Sequence, residues 1–336
     1  MKFLIIKLSS LGDIIHSLPV VYKLRQSYPD AQIDWLTGEK GLELLNLIGE
    51  INNVYSLNLK NIFLLQKQNY DYVIDVQGLF KSALISRLCK GRSVIGFKNT
   101  REFADIFYDQ KINAGELFRT KKHIVDLNLE LVLWLTGKNE TKIKFSIPKI
   151  VKPDREDILK ANNHSSLKIA IFPSTTWESK LWNMDYWFEL IKKMSADSEI
   201  YICAARNDLV FIKPLIDNLD LHKINYKNLI GKTSIKDLIY LIQNVDLVIG
   251  LDSAGLHLAS AVKNDYSLPE VIGIYGPTSP ERSGPYSLIQ NCLYLSEMDC
   301  IACRKKKCPL GHHNCMNNIL PSSIIEIVNR KLHATT

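Results

Sequence analysis

The feature that most constrains the fold is a repeating alternation: a short apolar, β-branched run, a polar turn, then an amphipathic stretch long enough for a helix. Runs at 2–8, 31–37, 54–59, 71–76 and 93–97 keep this pattern through the first 135 residues. A chain that reaches its next strand only through a helical crossover lays its strands parallel and covers both faces of the sheet with helices. A helix expected over 121–136 ends near Gly137, and the polar stretch from Lys138 to Asp154, bounded by Pro148 and Pro153, reads as a linker. Beyond it the alternation restarts with strands expected at 168–172, 199–205, 246–250 and 270–275, and a helix near 321–332 closes the chain. The fold class expected is therefore α/β, with two Rossmann-like doubly wound domains facing each other across a cleft. Their bounds are expected at 1–150 and 151–320, with the terminal helix in 321–336. A chain of 336 residues that is 46% apolar is long enough for two such cores.

The first apolar run is broken by Lys7 and followed by Ser9-Ser10. It is too short for a signal-peptide core or a membrane span, which predicts a cytoplasmic protein whose seven cysteines are thiols. The net charge of +7 is unevenly spread: residues 1–160 carry 24 Lys and Arg against 18 Asp and Glu, whereas 161–336 carry 18 against 17. A solvated surface accounts for such an excess, and so does a face turned toward an anionic partner. With no zinc finger, RNA-binding aromatic signature or long basic helix in the chain, a phosphorylated lipid suits that face better than nucleic acid.

Ligands of doubly wound domains sit outside the carboxyl ends of the strands, so the loops after the strands carry the functional information. The first strand runs into Ser9-Ser10-Leu11-Gly12-Asp13. Asp13 there is an N-terminal helix cap or, with company, a base. The fourth exits through Asp75-Val76-Gln77-Gly78-Leu79-Phe80-Lys81-Ser82, which adds a carboxylate, an amide and an ammonium at the same sheet edge. In the second half Thr175, Thr176 and Lys180 follow a strand closely enough to cradle a diphosphate, although loop hydroxyls commonly do no more than cap turns. Asp252, Ser253, Gly255 and His257 occupy the next strand exit and the first turns of a helix, and Tyr275-Gly276-Pro277-Thr278 follows a further strand.

Taken in order, Lys-x-Ser-Ser-x-Gly-Asp at 7–13, Asp-x-Gln-Gly-Leu-x-Lys-Ser at 75–82, Thr-Thr-x-x-x-Lys-x-Trp at 175–182, Asp-Ser…His at 252–257 and Tyr-Gly-Pro-Thr at 275–278 resemble glycosyltransferase family nine. Within it they look most like the heptosyltransferases that add the first heptose. The resemblance implies the GT-B architecture and inverting transfer of heptose from ADP-heptose to the Kdo and inner-core region of lipopolysaccharide. The implied setting is the cytoplasmic surface of the inner membrane, with Kdo-lipid A or another inner-core acceptor and no cofactor required for catalysis. It also implies an N-terminal acceptor domain and a C-terminal donor domain. Asp13 would be the general base. Thr175, Thr176, Lys180, Asp252, Ser253, Gly255 and His257 would hold the donor, and Ser10, Gly12, Gln77, Lys81, Arg101 and His123 the acceptor. The sequence departs from the pattern at Leu127, where an arginine is expected, in the glycine of Ala254-Gly255, displaced by one, and in the unmatched acidic ribose contact after 199–205.

The chemistry agrees with elementary requirements. A sugar hydroxyl needs a carboxylate to take its proton, and a departing nucleoside diphosphate needs cations or helix amides. The chain contains no Asp-x-Asp pair of the kind metal-dependent sugar transfer uses. Gly231-Lys232-Thr233-Ser234 is not a phosphate-binding loop, because Tyr226 stands where its first glycine would be, and no Gly-x-Gly-x-x-Gly occurs. Transfer to a protein hydroxyl and a non-catalytic ADP-sugar-binding scaffold are the alternatives. One motif is left over. Cys300-x2-Cys303-x4-Cys308-x6-Cys315 has the spacing of a structural zinc or iron site, and equally that of four reduced thiols in a loop.

Overall fold

The computed structural model describes residues 1–100, 102–113, 122–137, 142–159 and 167–333. Its contacts divide the chain into two compact units, Met1–Pro148 and Lys149–Thr336.

The first unit is built on six parallel strands, β1 (Lys2–Ile6), β2 (Gln32–Thr37), β3 (Asn53–Ser56), β4 (Tyr72–Asp75), β5 (Ser93–Phe97) and β6 (Gln110–Ile112), in the spatial order β3-β2-β1-β4-β5-β6. Phe3, Leu4, Ile5 and Ile6 are all fully buried, as an unbroken apolar run must be when helices cover both faces of its sheet. One face packs Leu4, Ile6, Leu36, Val73 and Val94 under Leu65 of helix Leu59–Leu65 and Ala83 and Ile85 of helix Phe80–Leu88. Helix Leu18–Ser27 packs against helix Ile124–Thr136. Strand β6 carries no sequence signal: two of its three residues are exposed, and only its parallel pairing with β5, Phe97 opposite Ile112, defines it.

The second unit repeats the plan with β7 (Leu167–Phe172), β8 (Ser198–Ile202), β9 (Lys227–Asn228), β10 (Leu247–Leu251), β11 (Glu270–Ile274) and β12 (Cys292–Leu293), ordered β12-β11-β10-β7-β8-β9 and parallel throughout. The edge strands β9 and β12 are two residues long, too short for any periodicity to announce. Helix Met184–Met194 shows how sequence becomes packing. Asn183 accepts a hydrogen bond from the Asp185 amide as its N-cap, and Trp187, Leu190, Ile191 and Met194 recur at helical spacing as its buried stripe. The terminal helix Pro321–His333 packs on it, within the same unit.

Each sheet has one place where neighbouring strands send their connections in opposite directions, β1 beside β4 and β7 beside β10. The loops diverge there and leave a crevice, so the two exits at each such point are where a ligand is expected.

Candidate active site

At the β7/β10 point three loops converge on one carboxylate. Asp252, the first residue beyond β10, is 5% exposed. Its Oδ2 meets Lys180 Nζ at 2.6 Å and accepts the Thr278 hydroxyl at 2.6 Å, while Oδ1 lies 3.0 Å from His257 Nε2. The Thr175 hydroxyl donates to the Asp252 carbonyl at 3.2 Å, drawing in the loop after β7. Burial alone would raise the Asp252 carboxyl, but the neighbouring Lys180 ammonium and His257 outweigh it and hold it well below the usual carboxylate range. Lys180 is also stacked over the Trp177 ring, 4.5 Å from its centroid. The loop is anchored two residues on: Trp182 is fully buried, donates from Nε1 to the Ile319 carbonyl at 2.9 Å, and packs edge-on against Trp187.

Helix Ala254–Tyr266 begins beside this cluster, so its first amides and the positive end of its dipole lie at the β10 exit. Ser253 is its N-cap residue, yet the Ser253 side chain makes no capping hydrogen bond. Gly255 is required by packing: a Cβ there would meet Phe172 Cδ1 at 2.2 Å, so only glycine lets the helix approach the end of β7. Thr176 is exposed and Thr175 buried. The β8 exit contributes Asp208, absent from the motifs, which accepts the Ser174 hydroxyl at 2.9 Å. An acidic residue at the end of a second strand was its only sequence signal.

In the first unit, Ser10 donates through both its backbone N–H (2.9 Å) and its hydroxyl (2.7 Å) to Asp13 Oδ2, at the start of the short helix Leu11–Ile15 that also contains buried Gly12. Asp13 is thus a cap as well as a half-exposed carboxylate. One turn on, the buried His16 ring lies edge-on to His123, 5.5 Å between centroids. His123 heads helix Ile124–Thr136 by accepting the Val125 amide at its Nδ1. Asn128 of that helix donates to the His16 carbonyl at 3.1 Å, so fold contacts bring His123 to the helix of Asp13 across more than a hundred residues of sequence.

The β4 exit serves largely to shape this edge. Asp75 is fully buried and its carboxylate accepts four hydrogen bonds, from the amides of Gln77 and Gly78 and the hydroxyls of Ser82 and Tyr108, at 2.7–3.1 Å. Burial pushes its carboxyl above the ordinary value in spite of them. Gln77 Oε1 accepts the amides of Leu8 and Ser9 at 3.2 and 3.3 Å, and Lys7 Nζ donates to the Val76 carbonyl at 3.3 Å, so the β4 exit holds the β1 exit in place. Lys81 is exposed on helix Phe80–Leu88. Arg101 lies outside the described residues.

The four cysteines of the remaining motif, Cys300, Cys303, Cys308 and Cys315, line one small cavity with Ser179, Pro277, His312 and His313. Their loop is tied to the site just described. Ser179 donates from its amide to the Lys306 carbonyl at 3.1 Å and from its hydroxyl to the Lys305 carbonyl at 2.6 Å, and the Arg304 amide donates to the Pro277 carbonyl at 2.8 Å.

Comparison with known proteins supplies the context for these loops. Residues 61–314 match the family model of glycosyltransferase family 9 (heptosyltransferase). The chain is 26% identical over 306 residues to the lipopolysaccharide core heptosyltransferase OpsX of Haemophilus influenzae, covering 87% of this chain and 84% of that one. It is 27% identical over 312 residues to lipopolysaccharide heptosyltransferase 1 of Escherichia coli, covering 85% and 91%. Among solved structures, the E. coli heptosyltransferase WaaC with ADP superposes with a TM-score of 0.74 at 22% identity, over 98% of this chain and 99% of that one, which establishes the GT-B fold.

Proposed function

The chain belongs to glycosyltransferase family 9, and from that premise we propose that it transfers heptose from ADP-heptose to the Kdo and inner-core region of lipopolysaccharide, with inversion at the anomeric carbon. The observation that carries the donor half is the cluster on Asp252. It holds an ammonium, a threonine hydroxyl and an imidazole where a helix N-terminus meets the β7/β10 switch point. Held ionised, Asp252 fixes Lys180 in one orientation, and Lys180, Thr175, Thr176, Ser253 and the first amides of helix Ala254–Tyr266 receive the diphosphate. Asp208, beside Ser174, is the carboxylate suited to the ribose hydroxyls.

Asp13 takes the proton of the attacking acceptor hydroxyl as that oxygen bonds to the anomeric carbon. The bond from that carbon to the diphosphate oxygen breaks, and ADP departs with its new negative charge met by Lys180 and the helix amides. Ser10, Gly12 and Gln77 keep Asp13 in place, and His123 with Lys81 and Arg101 offers cationic and hydrogen-bonding contacts to an acidic acceptor sugar.

The chain attaches peripherally to the cytoplasmic face of the inner membrane. Among the described residues no helix is long and apolar enough to cross a membrane. Leu59, Phe63 and Leu64 on one helix and Phe80, Leu84 and Leu88 on another are exposed, with Lys60, Lys67, Lys81 and Lys90 exposed among them. Apolar side chains interleaved with lysines suit a surface of anionic lipid.

The test is incubation of the full chain with ADP-heptose and heptose-free Kdo-lipid A, followed by mass spectrometry. A gain of one heptose with release of ADP is expected. Retained ADP binding without product on this acceptor would overturn it in favour of a protein acceptor or a sugar-nucleotide scaffold. Sedimentation with anionic and with zwitterionic vesicles tests the attachment, which fails if neither carries the protein down.

A further inference from the structure

We propose that Cys300, Cys303, Cys308 and Cys315 form a tetrathiolate site for one thiophilic metal ion, zinc or iron, that locks the 294–313 segment against the loops after β7 and β11. The proposal stands apart from the identity of the sugar and of the acceptor.

Between β12 and the helix Asn314–Asn317 the chain runs through residues 294–313 without a strand or helix. A segment that long with no regular structure needs something to hold it. Leu295, Met298 and Ile301 pack its first part on the core of the second unit, but beyond them apolar burial does not supply it: Arg304–Lys307 and Pro309–His312 are exposed, and Leu310 is 60% exposed. Yet the segment is placed closely enough to make specific main-chain bonds to Ser179, Gly276 and Pro277. What the segment does have is Cys300, Cys303 and Cys308, with Cys315 just after it in the next helix; 2, 4 and 6 residues separate the four, and all line one cavity of about 20 Å3. A cavity of that size holds a single water-sized occupant.

The chain turns tightly around these cysteines. Ala302, Arg304, Gly311 and His313 all take positive φ, between 54° and 72°, turning the chain tightly beside Cys303 and around the 308–315 arc. The Gly311 amide donates to the Cys308 carbonyl at 3.4 Å and closes the turn after that cysteine. Four thiolates around a divalent ion leave a net negative charge, and Arg304, Lys305, Lys306 and Lys307 lie within the loop they close. His313 Nε2 lies 2.5 Å from the Ser179 carbonyl oxygen and His312 Nδ1 accepts the Asn314 amide, so one nitrogen of each ring is committed, while the four sulfurs by themselves make up a complete tetrahedral set. No disulfide competes, since all four cysteines are free. Among the described residues no three candidate ligands are already gathered closely enough to hold an ion, so binding draws the thiol side chains inward.

The consequence is that the ion supports the donor loops without joining the transfer. Ser179 precedes Lys180 and Pro277 precedes Thr278, so the segment the ion pins touches the neighbours of two Asp252 partners. Three measurements test it. Elemental analysis of full-length protein, purified anaerobically without chelators, should find close to one zinc or iron per chain. Co2+ added to metal-free protein should give the intense visible absorption of tetrahedral cobalt thiolate. Cys303→Ser and Cys308→Ser should each lose the metal and lower the Tm, with weaker ADP binding in whatever remains folded. Less than about a tenth of an equivalent of metal, together with no tetrahedral cobalt spectrum, would overturn the proposal whether or not the variants fold. So would full metal content in a folded Cys303→Ser/Cys308→Ser double variant.

Discussion

Lys180 and Asp252 form a 2.6 Å ion pair in which the carboxylate is almost wholly buried and the ammonium nearly so, across two strand exits separated by more than seventy residues of sequence. A buried pair is a poor source of net stability, because desolvating both charges cancels most of their attraction. It is a good way of fixing a cation in one direction, and that is the use a diphosphate site has for it.

Replacing Lys180 with alanine therefore has two effects. ADP-heptose affinity should fall at least about tenfold, and the protein should lose about 3–5 kcal/mol, the usual consequence of leaving a buried charge without its partner. Asp252→Asn/Lys180→Ala should recover much of the stability but not the affinity. Calorimetry with ADP and denaturant unfolding of the three proteins measure both, and unchanged ADP affinity in Lys180→Ala would remove Lys180 from the diphosphate.

The acid limb of stability should report Asp252. Its carboxyl is held below the ordinary value of about 4, so the folded state binds fewer protons than the unfolded chain in that range. The stabilisation is fully present above about pH 4 and is lost as pH falls below it. Tm measured from neutral pH downward should fall less steeply on the acid side for Asp252→Asn than for the parent protein. Superimposable acid limbs would contradict the assignment.

Asp13 both caps its helix through Ser10 and is placed to accept the acceptor's proton. Asp13→Asn keeps an oxygen for the Ser10 donors but removes the base, so turnover should fall at least about a hundredfold with donor affinity nearly unchanged. Asp13→Ala should show the same kinetic loss plus about 1 kcal/mol of stability from the missing cap. Single-turnover rates and unfolding curves of the two variants separate the roles, and near-normal turnover in Asp13→Asn would exclude it as the base.

Gly255 is a packing residue whose effect reaches the donor site. An alanine Cβ would stand 2.2 Å from Phe172 Cδ1. Gly255→Ala should cost about 1–3 kcal/mol and weaken ADP binding, since the helix N-terminus must move away from the β7 exit. Phe172→Leu introduced with it should restore part of both, as thermal unfolding and ADP titration would reveal. A fully stable Gly255→Ala would mean that the helix has room to spare.

Much of this molecule was legible in the sequence because its signals are local. An apolar run long enough to be buried on both faces announces a parallel strand, and β1, β2, β4, β5, β7, β8, β10 and β11 all lie within or beside such runs. The loops that matter were legible for the same reason, since ligand sites of this architecture lie at strand ends and the polar residues there interrupt apolar runs. Strands β6, β9 and β12 were not legible. They are two or three residues long at sheet edges, and pairing with a neighbour rather than composition makes them strands.

By itself, then, the sequence determined the order of the longer strands, the two-fold repetition of the plan and the identity of the chemically equipped loops. Only the tertiary structure decided what each polar residue in those loops does. Asp75 and Asp252 are both carboxylates at strand ends, yet one is closed off by four neutral donors and the other is held ionised by an ammonium and an imidazole. Those partners, Tyr108 just before β6 for the one and Lys180 after β7 for the other, lie 33 and 72 residues away in sequence. Charge state and role depend on such neighbours, and only the packing of the sheet brings them within hydrogen-bonding distance.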